Sequence, residues 1–178
     1  MRRVPARSYF AWAAPPLAFV LLAVVAGAAL QLATYGLAYG GGADITSDAV
    51  AQYRAARVAG EPAGMVLFLR WPGFIAAPVI EESIFRGFLW RGWEDSRLGA
   101  RGTWLLSSLV FAAYHIPKVL GMSPFGAGII LCEDLLLGLL LGWLRWRSRS
   151  IFPAMAAHFA YNVVPPVFDF IVGAVLAA

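Results

Sequence analysis

Pro78-Val79-Ile80-Glu81-Glu82-Ser83-Ile84-Phe85-Arg86-Gly87 sets two adjacent carboxylates and an arginine inside an apolar run that extends from Met65 to Trp90. Moving an ion into hydrocarbon or a packed core costs several kcal/mol, so such groups persist only when they are paired or useful. On a helix Glu82 and Arg86 stand four apart and share a face, which predicts an internal ion pair. Glu81 is turned by about 100° from Glu82 and is free to point at something else. The plain reading is a structural salt bridge in a buried helix. The alternative is a working site, and the residues downstream decide between them.

Outward from that stretch, the composition sets the class. Hydrophobic residues make up 61% of the 178-residue chain and charged residues 13%, a balance foreign to soluble domains. The apolar residues fall in long blocks, several near or above the roughly 18 residues needed to span a bilayer. The expected fold is all-α, a polytopic transmembrane helical bundle of about five to six spans. The one cysteine, Cys132, excludes an intrachain disulfide and a cysteine-based metal cluster. The net charge of +4 does not indicate nucleic-acid binding, because the arginines sit at the ends of spans.

Arg2, Arg3 and Arg7 precede an apolar run from Tyr9 to about Tyr39, which Pro15 and Pro16 kink or begin and Gly40-Gly41-Gly42 ends. This run exceeds the 7–15 apolar residues of a secretory signal and reads as a first span. Asp44 to Pro62 is the one soluble-looking segment. Ser47 can cap a short surface helix from Asp48 to Val58. Residues 1–62 thus form an amino-terminal span with its surface segment, and residues 63–178 a core. Within the core, spans are expected from about Ala63 to Trp93 (with Arg70, Pro72 and Gly73 at its edge), Gly102 to Ile116, and Phe125 to Trp146. A short fifth, Ile151 to Val164, is stopped by Pro165-Pro166, and a final apolar segment runs from Val167 to Ala178 with Asp169 inside it. Alternating the spans gathers Arg2, Arg3, Arg7, Arg91, Arg97, Arg101, Arg145, Arg147 and Arg149 on one side. Arg54, Arg57, Arg70 and Lys118 fall on the other. The positive-inside rule then puts the amino terminus in the cytoplasm, and the protein is expected in the plasma (inner) membrane of a prokaryote.

Both histidines of the chain fall in apolar helical stretches: His115 after Phe111-Ala112-Ala113-Tyr114, and His158 ahead of Phe159-Ala160-Tyr161-Asn162. His158 and Asn162 share a helix face. Each such group is costly alone, and together they can satisfy one another around a hydrated site. Amide hydrolysis needs a base for water, donors for the oxyanion and an acid for the leaving amine. A carboxylate withdrawn from water is a stronger base, which suits that task near neutral pH. Glu81 fits the base, with His115 holding and polarising the water. His158 and Asn162 fit the oxyanion donors, and Glu82 and Arg86 support the helix. A zinc centre would use nearly the same residues, with Glu82, His115 and His158 as ligands. It lacks a His-Glu-x-x-His helix and an obvious second shell, so the metal-free form is favoured and no cofactor is expected.

Glu-Glu-x-x-x-Arg, Phe-x-x-x-His and His-x-x-x-Asn, each on its own membrane helix, together resemble the CPBP family. This family comprises the type II CAAX prenyl endopeptidases and the bacteriocin-processing or self-immunity (Abi) proteins. Glu81, Glu82 and Arg86 match the first motif, Phe111 and His115 the second, and His158 and Asn162 the third. The helix with Gly138 and Gly142, followed by an arginine-rich turn, is also typical. The resemblance covers Pro78 to about Asn162. It implies an intramembrane endopeptidase in which the first glutamate and histidine activate water and the second histidine and the asparagine stabilise the oxyanion. Metal-dependent and metal-free forms of that chemistry have both been proposed for the family. The implied partners are the bilayer and a membrane peptide or, less favoured in so short a chain, a lipidated protein. No nucleic-acid partner is implied. The competing reading is a catalytically idle scaffold or self-immunity protein of the same fold. An ion conductor would spread its polar groups along the membrane normal instead of gathering them in three motifs. Glu133 and Asp134 lie outside the pattern, and three placements are open to them: a pair with Arg86, a place facing the site, or a shallow position near the interface.

Overall fold

The computed structural model describes residues 11, 13–40, 55, 58–60 and 74–175, with side chains at 38–40 and beyond 167 excepted. Most of the expected surface segment Asp48 to Val58, the edge at Arg70, Pro72 and Gly73, and the side chain of Asp169 lie outside the described residues.

The described part is helical, with no strand among its residues. Helix α1 is Leu17–Gly40. Pro15 and Pro16 precede it, and the Pro16 carbonyl accepts the Phe19 and Val20 N–H groups at 3.0 and 3.3 Å. The prolines therefore begin the span, in the first-turn position where a missing N–H costs nothing. Helix α2 is described from residue 74 to residue 94, and its central part, Ser83–Leu89, is wound as a π-helix. Helix α3 is Gly99–Tyr114, followed by a 3₁₀ turn at Ile116–Val119 with Pro117 in it. Helix α4, Pro124–Ser148, is capped by Ser123, whose hydroxyl accepts the Gly126 N–H at 3.2 Å. Helix α5 is Phe152–Val175.

Two described stretches, Leu17–Leu37 and Pro124–Ser148, are long and apolar enough to cross a membrane. At 1.5 Å per residue the latter reaches about 37 Å, beyond the ~30 Å hydrocarbon layer. The apolar flanks of α1 are largely exposed (Leu17, Leu21, Val25 and Leu37 among them), as lipid-facing surfaces are.

Two expectations are corrected. Pro165-Pro166 does not stop the fifth span: α5 runs through both prolines. Continuing the helix forfeits two N–H donors, whereas breaking it would strand about four N–H and four C=O groups where no water can satisfy them. The short fifth span and the final apolar segment are thus one helix. The second correction concerns Arg145, expected at the end of the fourth span where a basic loop with Arg147 and Arg149 begins. It lies within α4, is 5% exposed, and donates from Nε to the Arg86 carbonyl at 3.0 Å.

The core is Ala23 from α1, Phe85 from α2, Phe111 from α3, Leu137, Leu141 and Leu144 from α4, and Ala154, Ala157 and Tyr161 from α5. Small residues let the helices approach. A Cβ on Gly138 would stand 3.1 Å from the Ser108 carbonyl, and one on Gly142 would stand 2.6 Å from the Trp104 ring. This Gly-x-x-x-Gly seam brings α3 against α4. It is locked where the Trp104 indole donates to the Leu139 carbonyl at 2.8 Å. On the other side a Cβ on Gly27 would meet the Ala157 carbonyl and its Cα, so α1 lies directly on the backbone of α5.

Candidate active site

Three helices deliver the polar residues to one place. Glu81 and Glu82 come from α2 just before the π-helical winding, His115 from the residue that closes α3, and His158 from the buried face of α5. The π-segment alters hydrogen bonding one turn further on. Trp90 N–H turns to the Gly87 carbonyl, not to the Arg86 carbonyl that α-helical winding would offer it. The Arg86 carbonyl instead accepts from Arg145, whose guanidinium lies 5.4 Å from the centroid of the Trp90 ring.

Glu82 and Arg86 form the expected pair, at 3.0 Å with both side chains fully buried. Arg86 also donates to the Gly138 carbonyl at 2.9 Å and lies over the Phe111 ring at 4.5 Å. Phe111 is the common wall of the site, with ring centroids 4.7 Å from His115 and 5.8 Å from His158. The motif contained Phe111, but its contact with all three charged or chargeable partners is a structural finding.

Glu81 faces away from the Glu82–Arg86 pair, toward the histidines. Its Oε2 stands 3.9 Å from His115 Nε2 and 3.8 Å from His158 Nε2. The other nitrogen of each ring is committed. His115 Nδ1 lies 2.8 Å from the Phe111 carbonyl, which can only accept, so Nδ1 carries the hydrogen. His158 Nδ1 lies 3.0 Å from the same Glu82 oxygen that accepts from Arg86, and it too is the donor. In the neutral rings both Nε2 atoms are therefore acceptors. Three acceptors, Glu81 Oε2 and two imidazole nitrogens, converge at distances too long for direct bonds, and Glu81 Oε2 takes no hydrogen bond from any described residue. A water molecule, with two hydrogens to give, fits between such acceptors.

Asn162 lies one turn beyond His158 on α5, half-buried, and its side chain makes no hydrogen bond to another described residue. Its amide is available to a ligand. The structure thus brings together Glu81, His115 and His158, with Glu82 and Arg86 behind them, and sets Asn162 beside His158 along the helix.

Of the zinc set named from the sequence, His115 and His158 face one another across Glu81, and Glu82 stands on the Nδ1 side of His158. Glu82 Oε1 is occupied by Arg86 and by His158 Nδ1, which leaves Glu82 behind the imidazole rather than beside its Nε2. Among the described residues no group of three His, Cys, Asp or Glu side chains is arranged to hold a metal ion.

Glu133 and Asp134 do not pair with Arg86. Glu133 Oε1 accepts from Gln31 Nε2 at 3.0 Å, from Thr34 Oγ1 at 2.9 Å and from the Tyr161 hydroxyl. Asp134 Oδ1 lies 3.5 Å from Lys118 Nζ. The sequence signal for the Glu133 cluster was present in Gln31 and Thr34, polar residues inside an apolar span.

A family model described as type II CAAX prenyl endopeptidase, Rce1-like, matches residues 63–164. No curated protein and no solved structure matches the chain. The matched segment holds all three motifs and ends just past Asn162. It covers more than half of the chain, and with the two apolar helices it marks an integral membrane protein of a peptidase lineage. The chain therefore belongs to the Rce1-like family of type II CAAX prenyl endopeptidases.

Proposed function

We propose that this protein is an intramembrane endopeptidase that hydrolyses a peptide bond of a membrane-embedded peptide, with Glu81 as the base. The observation that carries this reading is the convergence of the two histidine Nε2 atoms on Glu81 Oε2, with every other nitrogen of those rings tied to a structural partner. A structural ion pair alone has no use for that arrangement.

Glu81 takes one proton from the bound water while a histidine Nε2 accepts the hydrogen bond of the other, and the water oxygen attacks the carbonyl carbon of the substrate. The carbonyl π-bond pair moves to oxygen, and the Asn162 amide donates to that oxyanion. His158 joins as a donor only when it carries a second proton, because its Nδ1–H is committed to Glu82 and its neutral Nε2 accepts. This refines the role implied by the family resemblance. As the tetrahedral intermediate collapses, the C–N bond breaks and Glu81 returns its proton to the leaving amine. Arg86 and Glu82 hold the α2 and α5 side chains in register throughout.

Five membrane-crossing helices, α1 to α5, fit this reading. Helix α3 is about 24 Å long, so the 3₁₀ turn that follows it completes the crossing. Odd and even helices then alternate, so the α2–α3 and α4–α5 connections with their arginines face the cytoplasm with the amino terminus, in a prokaryotic plasma membrane. The substrate is a membrane peptide, and a lipidated protein is the alternative substrate of the same chemistry.

The test is turnover of a membrane-peptide library by the purified protein in lipid, wild type against Glu81→Gln. A folded, inactive variant is expected. Full turnover by Glu81→Gln would refute the assignment.

A further inference from the structure

Glu133 is a buried carboxylate that this mechanism leaves unused. It is 7% exposed and has no cationic partner within ion-pair distance among the described residues. Gln31 Nε2 from α1 and the Tyr161 hydroxyl from α5 donate to its Oε1, and the Thr34 hydroxyl of α1 lies 2.9 Å from the same oxygen, its one hydrogen also within reach of the Leu30 and Gln31 carbonyls at 3.1 Å each. A carboxylate oxygen that polar side chains from two other helices meet is a fastening point between them. Helix α1 lies outside the segment matched by the family model, and this fastening joins it to α4 and to α5, which carries His158.

Tyr161 is three residues after His158, and on an α-helix that spacing puts the two side chains within about 60° of each other. They share the core side of α5, at 7% and 4% exposure. Four residues before Tyr161, Ala157 bears on Gly27 of α1 with no Cβ between the backbones. Helix α5 is thus held against α1 at two levels one turn apart, by close contact at Ala157 and by the carboxylate at Tyr161, and His158 lies between them.

We propose that Glu133 is a positioning residue for the peptidase site: through Tyr161 it fixes the rotation of α5, and through Gln31 and Thr34 it ties that rotation to α1. The lever is short. Side-chain tips lie about 6 Å from a helix axis, so a 10° rotation of α5 moves His158 Nε2 by about 1 Å, a misplacement that costs on the order of 100-fold in rate. Nothing in the Glu82 contact resists such a rotation alone, because a single 3.0 Å bond to Nδ1 lets the ring pivot about it.

The turnover part of the test rests on the peptidase reading, and the spectroscopic part does not. The full chain is placed in lipid nanodiscs, wild type beside Tyr161→Phe, Glu133→Gln, Thr34→Val and the double variant Glu133→Gln/Tyr161→Phe. Side-chain nitrogen NMR of the two histidines reads the site directly. The His158 resonances are expected to move in each variant while those of His115 stay in place. On a membrane peptide, kcat is expected to fall about 10- to 100-fold with KM unchanged, and the double variant is expected to be no slower than the slower single variant. Thr34→Val acts from α1 and keeps the side-chain shape, so it serves if the carboxylate variant fails to fold. An unmoved His158 spectrum in Tyr161→Phe, a loss carried by KM, or a double variant as slow as the product of its singles would overturn the proposal. If Glu81→Gln, run alongside, turns over like wild type, the assignment of Glu81 as the base fails; if neither protein cleaves, the peptidase reading fails, and in either case the His158 spectra alone decide the positioning role.

Discussion

Arg86→Met tests whether the Glu82–Arg86 pair behaves as a buried ion pair or as an ordinary helix pair. On an exposed helix, i, i+4 charges contribute about 0.3–0.5 kcal/mol. Here both side chains are fully buried, and the guanidinium also serves the Gly138 carbonyl and the Phe111 face. Removing it leaves the Glu82 charge in the core with only the His158 Nδ1–H as a donor. Breaking a buried pair from one side costs about 3–5 kcal/mol, and the remaining histidine bond places the expected loss near the lower end. Replacing both partners, Glu82→Leu with Arg86→Met, removes the stranded charge and should recover stability to within about 1–2 kcal/mol of wild type. The same double variant takes away the acceptor that orients His158, so it should be folded and inactive. Reversible unfolding in mixed micelles gives the stabilities, and turnover of a membrane peptide gives the activity. A loss below about 0.5 kcal/mol for Arg86→Met would refute the reasoning, because the pair would then be energetically a surface pair.

Further outcomes follow from other contacts. Gly27→Ala puts a methyl group 2.8 Å from the Ala157 carbonyl carbon and 2.9 Å from its Cα. Those atoms are backbone and cannot swing aside, so an overpacking loss of about 1–3 kcal/mol and lower turnover are expected; wild-type thermal stability would contradict the close contact. Strong chelators should leave turnover unchanged, since the site is read as a metal-free base, and activity lost on chelation and restored by zinc would overturn that reading. Reporters fused after Arg97 or Arg147 should read cytoplasmic and one fused near Asp48 external, and the opposite result at two of these sites would reverse the topology.

What the sequence reveals, and what it hides, follows from the range of each interaction. Glu82 and Arg86 meet because both belong to one helix turn, and that spacing is visible in the chain. The gathering of His115 and His158 was legible because each charge-bearing group at membrane depth demands a partner and few candidates exist. The different surroundings of the two glutamates were half legible. Spacing separates Glu81 from Glu82, but the bond from His158 Nδ1 to Glu82 joins residues 76 apart in the chain, and no periodicity announces it. Pro165-Pro166 misled because prolines end helices in water, where a broken end is solvated. Arg145 misled because a run of arginines closing an apolar block looks like a solvated basic end, whereas its target, the Arg86 carbonyl, exists only once α2 is wound as it is.

That winding has a consequence for how helix α2 can be edited. A π-helical stretch is, in register, an α-helix with one residue added, so everything beyond Ser83–Leu89 is turned by about 100° relative to uninterrupted winding. Trp90, fully buried beneath Arg145, owes its inward direction to that added residue. Deleting a single residue between Ser83 and Leu89 would leave the two glutamates where they are and swing the Trp90 end of the helix toward the lipid. Tolerance to insertions and deletions along α2 should therefore be sharply uneven, with a phase boundary immediately after the glutamates that no substitution scan would reveal.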